Sequence, residues 1–365
     1  MLNSNYLLFI IAGLSIVSVK TYPSIFTQLA GRDTWLAVAI AMIIILCYIS
    51  FLVWVCQKKK CYSLARIYRH TLGPLLGNLM LSFFIVSVLL VLLECVSIEP
   101  SAMHEHFLID QPPGLFMVSF IAAGLYISLK GTQTVISTTL IHITGVSISG
   151  MGLFVLVAHY KNYDYLFPLM ADGITSDFVL AVIKLLGAYS SIAIILPLLS
   201  RVSDKENILK HTLLGTLFVA QNQVISMIGT ISTFSLPWLN AMFYPKLLQT
   251  QLVSHFDFME AGELFVLYQL VGGWLIKCVL CFFVAILLLK LVGISKKYYI
   301  CLISVIILFA SHYLTHNIFT LFNALNYFLY ISAINLILIP LLIFSIFLFK
   351  DTHTIHNGRK KTLTP

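Results

Sequence analysis

Charge is scarce in this chain. Asp, Glu, Lys and Arg make up only 10% of its 365 residues, where a soluble domain carries about 25%. Apolar residues account for 59%, and the mean hydropathy is +0.97. No soluble fold of this length hides so much apolar surface, so the bilayer is the solvent. The sequence also lacks the short alternating segments of a membrane barrel. Its apolar runs are long and continuous, and a helix satisfies its own backbone hydrogen bonds in lipid. Nothing resembles a Walker loop, a hydrolase elbow or a zinc-peptidase motif. Neither enzymatic activity nor a cofactor is therefore expected. No Lys or Arg precedes Lys20, and no small-x-small site follows the first apolar run. That run is read as a retained span rather than a signal peptide. Of the seven cysteines, Cys278 and Cys281 form a C-x-x-C inside an apolar run without partners. Packing explains them better than a redox or metal site.

Ten spans of roughly 20 residues fit the pattern. The first five cover Tyr6–Leu29, Trp35–Val55, Leu75–Val96, Gly114–Leu129 and Val135–Ala158. The second five cover Asp177–Leu199, Leu213–Phe234, Leu264–Leu289, Tyr298–Leu314 and Tyr327–Phe349. No soluble domain fits between them. The formal net charge is +8, and the excess lies in alternate loops. One set holds Lys58, Lys59, Lys60, Arg66, Arg69, Lys130, Arg201, Lys205, Lys210, Lys290, Lys296 and Lys297, with Lys350, Arg359, Lys360 and Lys361 in the tail. The other holds only Arg32, Lys161 and Lys246. The rich set is expected to be cytoplasmic, which puts both termini there and requires an even number of spans. The charge thus reads as membrane orientation rather than nucleic-acid binding.

Ten spans divide into two five-helix repeats, 6–158 and 177–349, followed by a tail at 350–365. A duplicated odd-membered repeat inserts its second copy inverted, as in many secondary transporters. In such proteins the first helix of each repeat breaks at mid-membrane and binds the substrate there. The first span offers Gly13-Leu14-Ser15. The sixth offers Gly187-Ala188-Tyr189-Ser190-Ser191, with Pro197 beyond. The alternative is that these small residues permit close helix packing.

Three lysines lie inside spans: Lys20, Lys184 and Lys277. Each costs roughly 2.5–3.5 kcal/mol at a helix centre on insertion scales. Lys277 sits near the middle of its span, and Glu94 is a candidate partner for one of the three. The readings are a buried ion pair, a lysine facing a wet cavity, or coupling residues. Asp257, Glu260 and Glu263 lead into the eighth span, where acids complement a helix dipole or serve as a gate. His104-Glu105-His106 is a weak metal signal in an outer loop, and no metal site is expected. The stretch from Leu239 to Phe256 reads as an amphipathic surface helix or an external lid.

Four stretches carry a family resemblance. They are Gly31-Arg32-Asp33-Thr34-Trp35-Leu36, then Leu166-Phe167-Pro168-Leu169 with Gly173-Ile174, then Tyr244-Pro245-Lys246-Leu247-Leu248, and Glu263-Leu264-Phe265 through Gly273 to Lys277. In their order and spacing they resemble the spore germination permeases, the B subunits of germinant receptors (the GerAB family), of the amino acid–polyamine–organocation superfamily. Departures exist: Leu270 stands where the family often has Trp, and Gln133 replaces a usual Glu. The resemblance implies an all-α polytopic membrane fold with a 5+5 inverted repeat. It implies a subunit that binds a small germinant, such as an amino acid, in the spore inner membrane. The partners it implies are an A subunit, a C lipoprotein and membrane lipid, with no nucleic acid. The ligand pocket would map onto Gly13, Ser15, Gly187, Ala188, Tyr189 and Ser190. An ion-coupled amino acid transporter is the alternative, with Lys277, Glu94 and Glu263 in coupling or gating.

Overall fold

The first apolar run does not form one helix. In the computed structural model, which describes residues 2–252, 261–294 and 296–350, it divides into α1 (Tyr6–Ser15), α2 (Ser18–Thr21) and α3 (Ser24–Ala30). The first break, at Ile16-Val17, follows Gly13 and Ser15 and consists of β-branched residues, which lose rotamer freedom in a helix. The second lies at Tyr22-Pro23. Proline disfavours helical geometry in the residue before it, and Tyr22 has φ −122° and ψ 57°.

The remaining helices are α4 (Thr34–Lys58), α5 (Leu64–His106), α6 (Pro113–Lys130), α7 (Thr132–Leu156), α8 (Ser176–Tyr189) and α9 (Ile208–Ile231). After them come the short α10 (Leu236–Ala241) and α11 (Pro245–Gln251), then α12 (Ala261–Leu291), α13 (Lys297–Thr315), α14 (Ile318–Ala333) and α15 (Ile339–Phe349). Among the described residues, nine helical stretches are long and apolar enough to cross a membrane, and Tyr6–Thr21 is a shorter apolar one. With that broken first run counted, the described residues offer ten candidate crossings.

Three boundaries differ from the sequence reading. Residues 64–72, with Arg66 and Arg69, form a helical arm instead of a loop. Gly73, at φ +83° and ψ 171°, turns it into the third span at Pro74. Only glycine adopts that backbone readily, and Arg69 Nε clamps the turn by donating to Asn78 Oδ1 at 2.7 Å. The third span then continues to His106, so Glu99 and Pro100 lie inside it, and His104 and His106 occupy its last turn. The tenth span begins at Ile318, nine positions before the expected Tyr327, because Asn317, Asn323 and Asn326 lower the local hydropathy. Asn317 caps this helix through Phe319 N, at 2.8 Å. The span is interrupted by a π-turn over Ile334–Leu338. Pro340 has no N–H to offer the carbonyl four residues back, and Tyr48 on α4 donates its hydroxyl to that carbonyl, Leu336 O.

The sixth span changes character midway. Thr175 caps α8 by accepting from Phe178 N at 3.1 Å. At Ser190 the helix gives way to a 3₁₀ stretch running to Arg201, with Pro197 inside. Such runs seldom exceed three or four residues. Here Ser190 Oγ donates to Gly187 O at 2.6 Å and Ser200 Oγ to Pro197 O at 3.1 Å. These local bonds compete with α-helical pairing.

α12 is the central helix: 78% of its most apolar stretch is buried, against 22% for α13. It packs on α5, α6, α7 and α1, while α1 also meets α9 and the 3₁₀ stretch. Two of the sequence stretches that carried the resemblance hold each other. Arg32 donates to Phe167 O, and Asp33 Oδ1 accepts from Met170 N at 3.0 Å. They lock the loop after the fifth span to the end of the first.

Candidate functional site: the break in the first helix

A helix that stops in mid-membrane leaves carbonyls without amide partners, and in lipid each must find another donor. The carbonyls of residues 14–16 do so through side chains of the sixth and seventh spans. Ser191 Oγ donates to Leu14 O at 2.9 Å. Gln223 Nε2, on α9, donates to Ile16 O at 2.7 Å and reaches Ser15 O at 3.4 Å. Gln223 Oε1 in turn accepts from Tyr189 OH at 3.5 Å. All of these residues are buried.

On the other side of the break, α2 is held by a buried ion pair. Lys277 Nζ, on α12, lies 2.6 Å from Glu94 Oε2 on α5, with the lysine side chain fully buried and the carboxylate 2% exposed. The same ammonium donates to Ser18 Oγ at 2.5 Å and lies 5.0 Å from the centre of the Trp274 ring. The other carboxylate oxygen of Glu94 accepts from Tyr22 OH at 2.6 Å. Trp274 Nε1 donates to Thr21 Oγ1 at 3.1 Å. Ser18, Thr21 and Tyr22 are thereby tied to the third and eighth spans. Desolvation of such a pair offsets most of its attraction, whereas loss of one partner strands the other charge. Its effect is to fix where α2 sits.

Beside the break is a cavity of about 30 Å³, lined by Ile16, Val17, Thr21, Val146, Gln269 and Leu270 among others. Lys20 and Lys246 also line it and are shared with a second cavity. α11, a short and largely buried helix within the stretch 239–256, therefore lies against the break, while residues 253–256 of that stretch lie outside the described residues.

The sequence candidates separate into two groups. Ser15 and Tyr189 meet through Gln223, and Ser15 Oγ is buried without a hydrogen-bond partner. Ser190 bonds within its own turn, and Ala188 is buried. The two glycines point elsewhere. A Cβ on Gly13 would come within 2.7 Å of Ile276 Cγ2, and one on Gly187 within 2.0 Å of Leu329 O on α14. Both positions serve close helix packing. Lys184, on α8, donates to Asn326 on α14 at 2.7 Å. The side chain of Glu263, along with Asp257 and Glu260, lies outside the described residues. Sequence reasoning missed Gln223. Its signal was a run of three amides, Gln221-Asn222-Gln223, in the middle of a span.

The fold, a helical bundle built around a broken first helix and an altered sixth, is that of known membrane transporters. It is similar to MhsT, solved in complex with L-phenylalanine, with a TM-score of 0.68 at 14% identity, covering 93% of this chain and 88% of that one. It is also similar to a mutant of a manganese transporter from Eremococcus coleocola, with a TM-score of 0.52 at 16% identity, covering 93% of this chain and 78% of that one. No curated protein sequence matches. The chain belongs to the spore germination protein family of permeases, whose model matches residues 2–319.

Proposed function

We propose that this germination permease is the ligand-binding B subunit of a germinant receptor, and that it takes a small amino acid at the break in the first helix. The observation that carries this reading is the break itself. Its carbonyls are held by Gln223 and Ser191, while the unpartnered Ser15 hydroxyl and a small cavity adjoin it. The amides that open α2 have no partners one turn back and suit the ligand's carboxylate. A cavity of about 30 Å³ is smaller than an amino acid, so binding favours a more open packing of α11 and α12 over the break. Ligand binding shifts the population between these packings. Two five-helix repeats, 6–158 and 177–349, are the natural division, since the first span of each half departs from a regular α-helix. Both termini would face the cytoplasm of the spore inner membrane, with an A subunit and a C lipoprotein receiving the change. No chemistry on the ligand is proposed.

A second reading is an ion-coupled amino acid transporter. Its support is the fold shared with MhsT and the charged pair Lys277–Glu94 against α2. Sealed liposomes with radiolabelled amino acids and imposed proton or sodium gradients separate the two. Saturable binding without accumulation is the receptor result. Gradient-driven accumulation is the transporter result and would displace the receptor reading.

A further inference from the structure

Above the break, three lysines from three separate elements face one cavity. Lys20 comes from α2, Lys161 from the loop behind α7, and Lys246 from α11. The cavity measures about 60 Å³, room for a few water-sized groups and so for one carboxylate or sulfate group. Its other polar lining consists of amides and a hydroxyl: Asn222, Ser226, Gln249 and Gln269. Among the described residues, no carboxylate lies within ion-pair distance of any of the three ammonium groups, and the one ion pair is Lys277–Glu94. This gathering is unexpected from composition. The loops on this side carry only Arg32, Lys161 and Lys246 as basic residues, and two of the three converge here.

Like charges in a half-buried space repel each other more strongly than in water. The ammonium of Lys246 is further fixed in direction, donating to Gln249 Oε1 at 2.7 Å. Gln249 is itself anchored to Gly229 O at 2.9 Å. Lys161 stacks over Phe154, 4.0 Å from the ring centre. Lys246 and Lys161 are thus held in place by other residues.

We propose that this cavity is a binding site for a small oxyanion, whose negative charge is shared by Lys20, Lys161 and Lys246. The site does not depend on the ligand reading above, because an inorganic anion tests it alone. The oxyanion is either a free ion or the side-chain carboxylate of an acidic amino acid on its way to the break. Burial, and then the charges of Lys20 and Lys161, lower the Lys246 ammonium from 10.5 to about 7. Among the described residues, the titratable groups facing Lys246 are those two lysines, and α7, α9 and α12 present only uncharged lining here. The anion binds the protonated form. Affinity should therefore be flat below pH 7 and fall by up to tenfold per unit just above it, as a proton must be taken up by Lys246 on binding, and more steeply at higher pH as the other lysines lose theirs.

The test uses the full chain in nanodiscs with radiolabelled sulfate, whose charge is constant over this range, and with L-glutamate against L-glutamine. The expected result is saturable sulfate binding, weakened at least about tenfold in Lys246→Met and in Lys161→Met through loss of one charge-assisted contact. Lys161→Met removes a half-exposed side chain and guards against a folding defect at α11. Glutamate binding more tightly than glutamine, with the preference lost in both variants, would assign the site to an acidic ligand. Equal binding of the two amino acids alongside lysine-dependent sulfate binding would assign it to a free ion. No saturable sulfate or glutamate binding, or isotherms unchanged in both variants, would overturn the proposal.

Discussion

Removing Lys277 alone should be far more damaging than removing it together with Glu94. Lys277→Met leaves the Glu94 carboxylate buried with only Tyr22 as a donor. Stranding one partner of a buried pair costs about 3–5 kcal/mol. Glu94→Met strands the ammonium against Ser18 and Trp274 and should cost a similar amount. Independent effects would sum to about 6–10 kcal/mol, enough to abolish folding of most domains. In the double variant no charge is stranded. What remains is the unpaired Tyr22 hydroxyl and the unpaired Ser18 hydroxyl, at about 1–3 kcal/mol each. Adding Tyr22→Phe should recover part of that. The assay is thermal unfolding of detergent-purified protein followed by size-exclusion recovery, with the two singles, the double and the triple compared as a cycle. A double variant as unstable as the summed singles would refute the view that Lys277 and Glu94 act as one unit to seat α2.

Other substitutions test other parts of the structure. Gly187→Ala places a methyl group 2.0 Å from Leu329 O, and backbone yields little. It should destabilise by about 1–3 kcal/mol, and more than Gly13→Ala, which meets the side-chain ends of Ile276 and Leu280; thermal melts of both variants rank them. Gln223→Leu removes the donor to Ile16 O and should cost about 1–3 kcal/mol, with amino acid binding lost alongside. Asp33→Ala frees Met170 N and should speed proteolysis within residues 162–175 without altering the core.

Much of this architecture is written in the hydropathy. Lipid demands continuous apolar runs, so the nine long spans, the apolar run before them and their order could be read from the chain. A break in the first span was legible from Gly13-Leu14-Ser15, but the structure puts it just beyond them, at Ile16-Val17, and adds a second at Tyr22-Pro23 that the sequence reading did not include. Glu94 was legible as a partner for one of the three lysines, since few acids enter the spans at all, and the packed bundle selects Lys277. Other features depend on what lies opposite a residue. Periodicity places Gly13 and Gly187 on helix faces, but only the packed bundle shows that those faces meet α12 and α14. Glu99 falls outside a third span taken to end at Val96, whereas the helix carries Pro100 and continues to His106. The cluster of Lys20, Lys161 and Lys246 joins residues from distant parts of the chain, and no local pattern announces it.

The central claim is that an amino acid binds where the first helix breaks. Val146 on α7 is buried and lines the cavity there, so Val146→Phe would fill it, with about 1–3 kcal/mol of overpacking. Equilibrium binding of a radiolabelled amino acid panel to wild-type and Val146→Phe protein in nanodiscs is the most direct measurement. Saturable binding by the wild type, abolished in a variant that still elutes as a folded monodisperse protein, is the predicted result. Undiminished binding in the variant would place the ligand elsewhere and contradict the account.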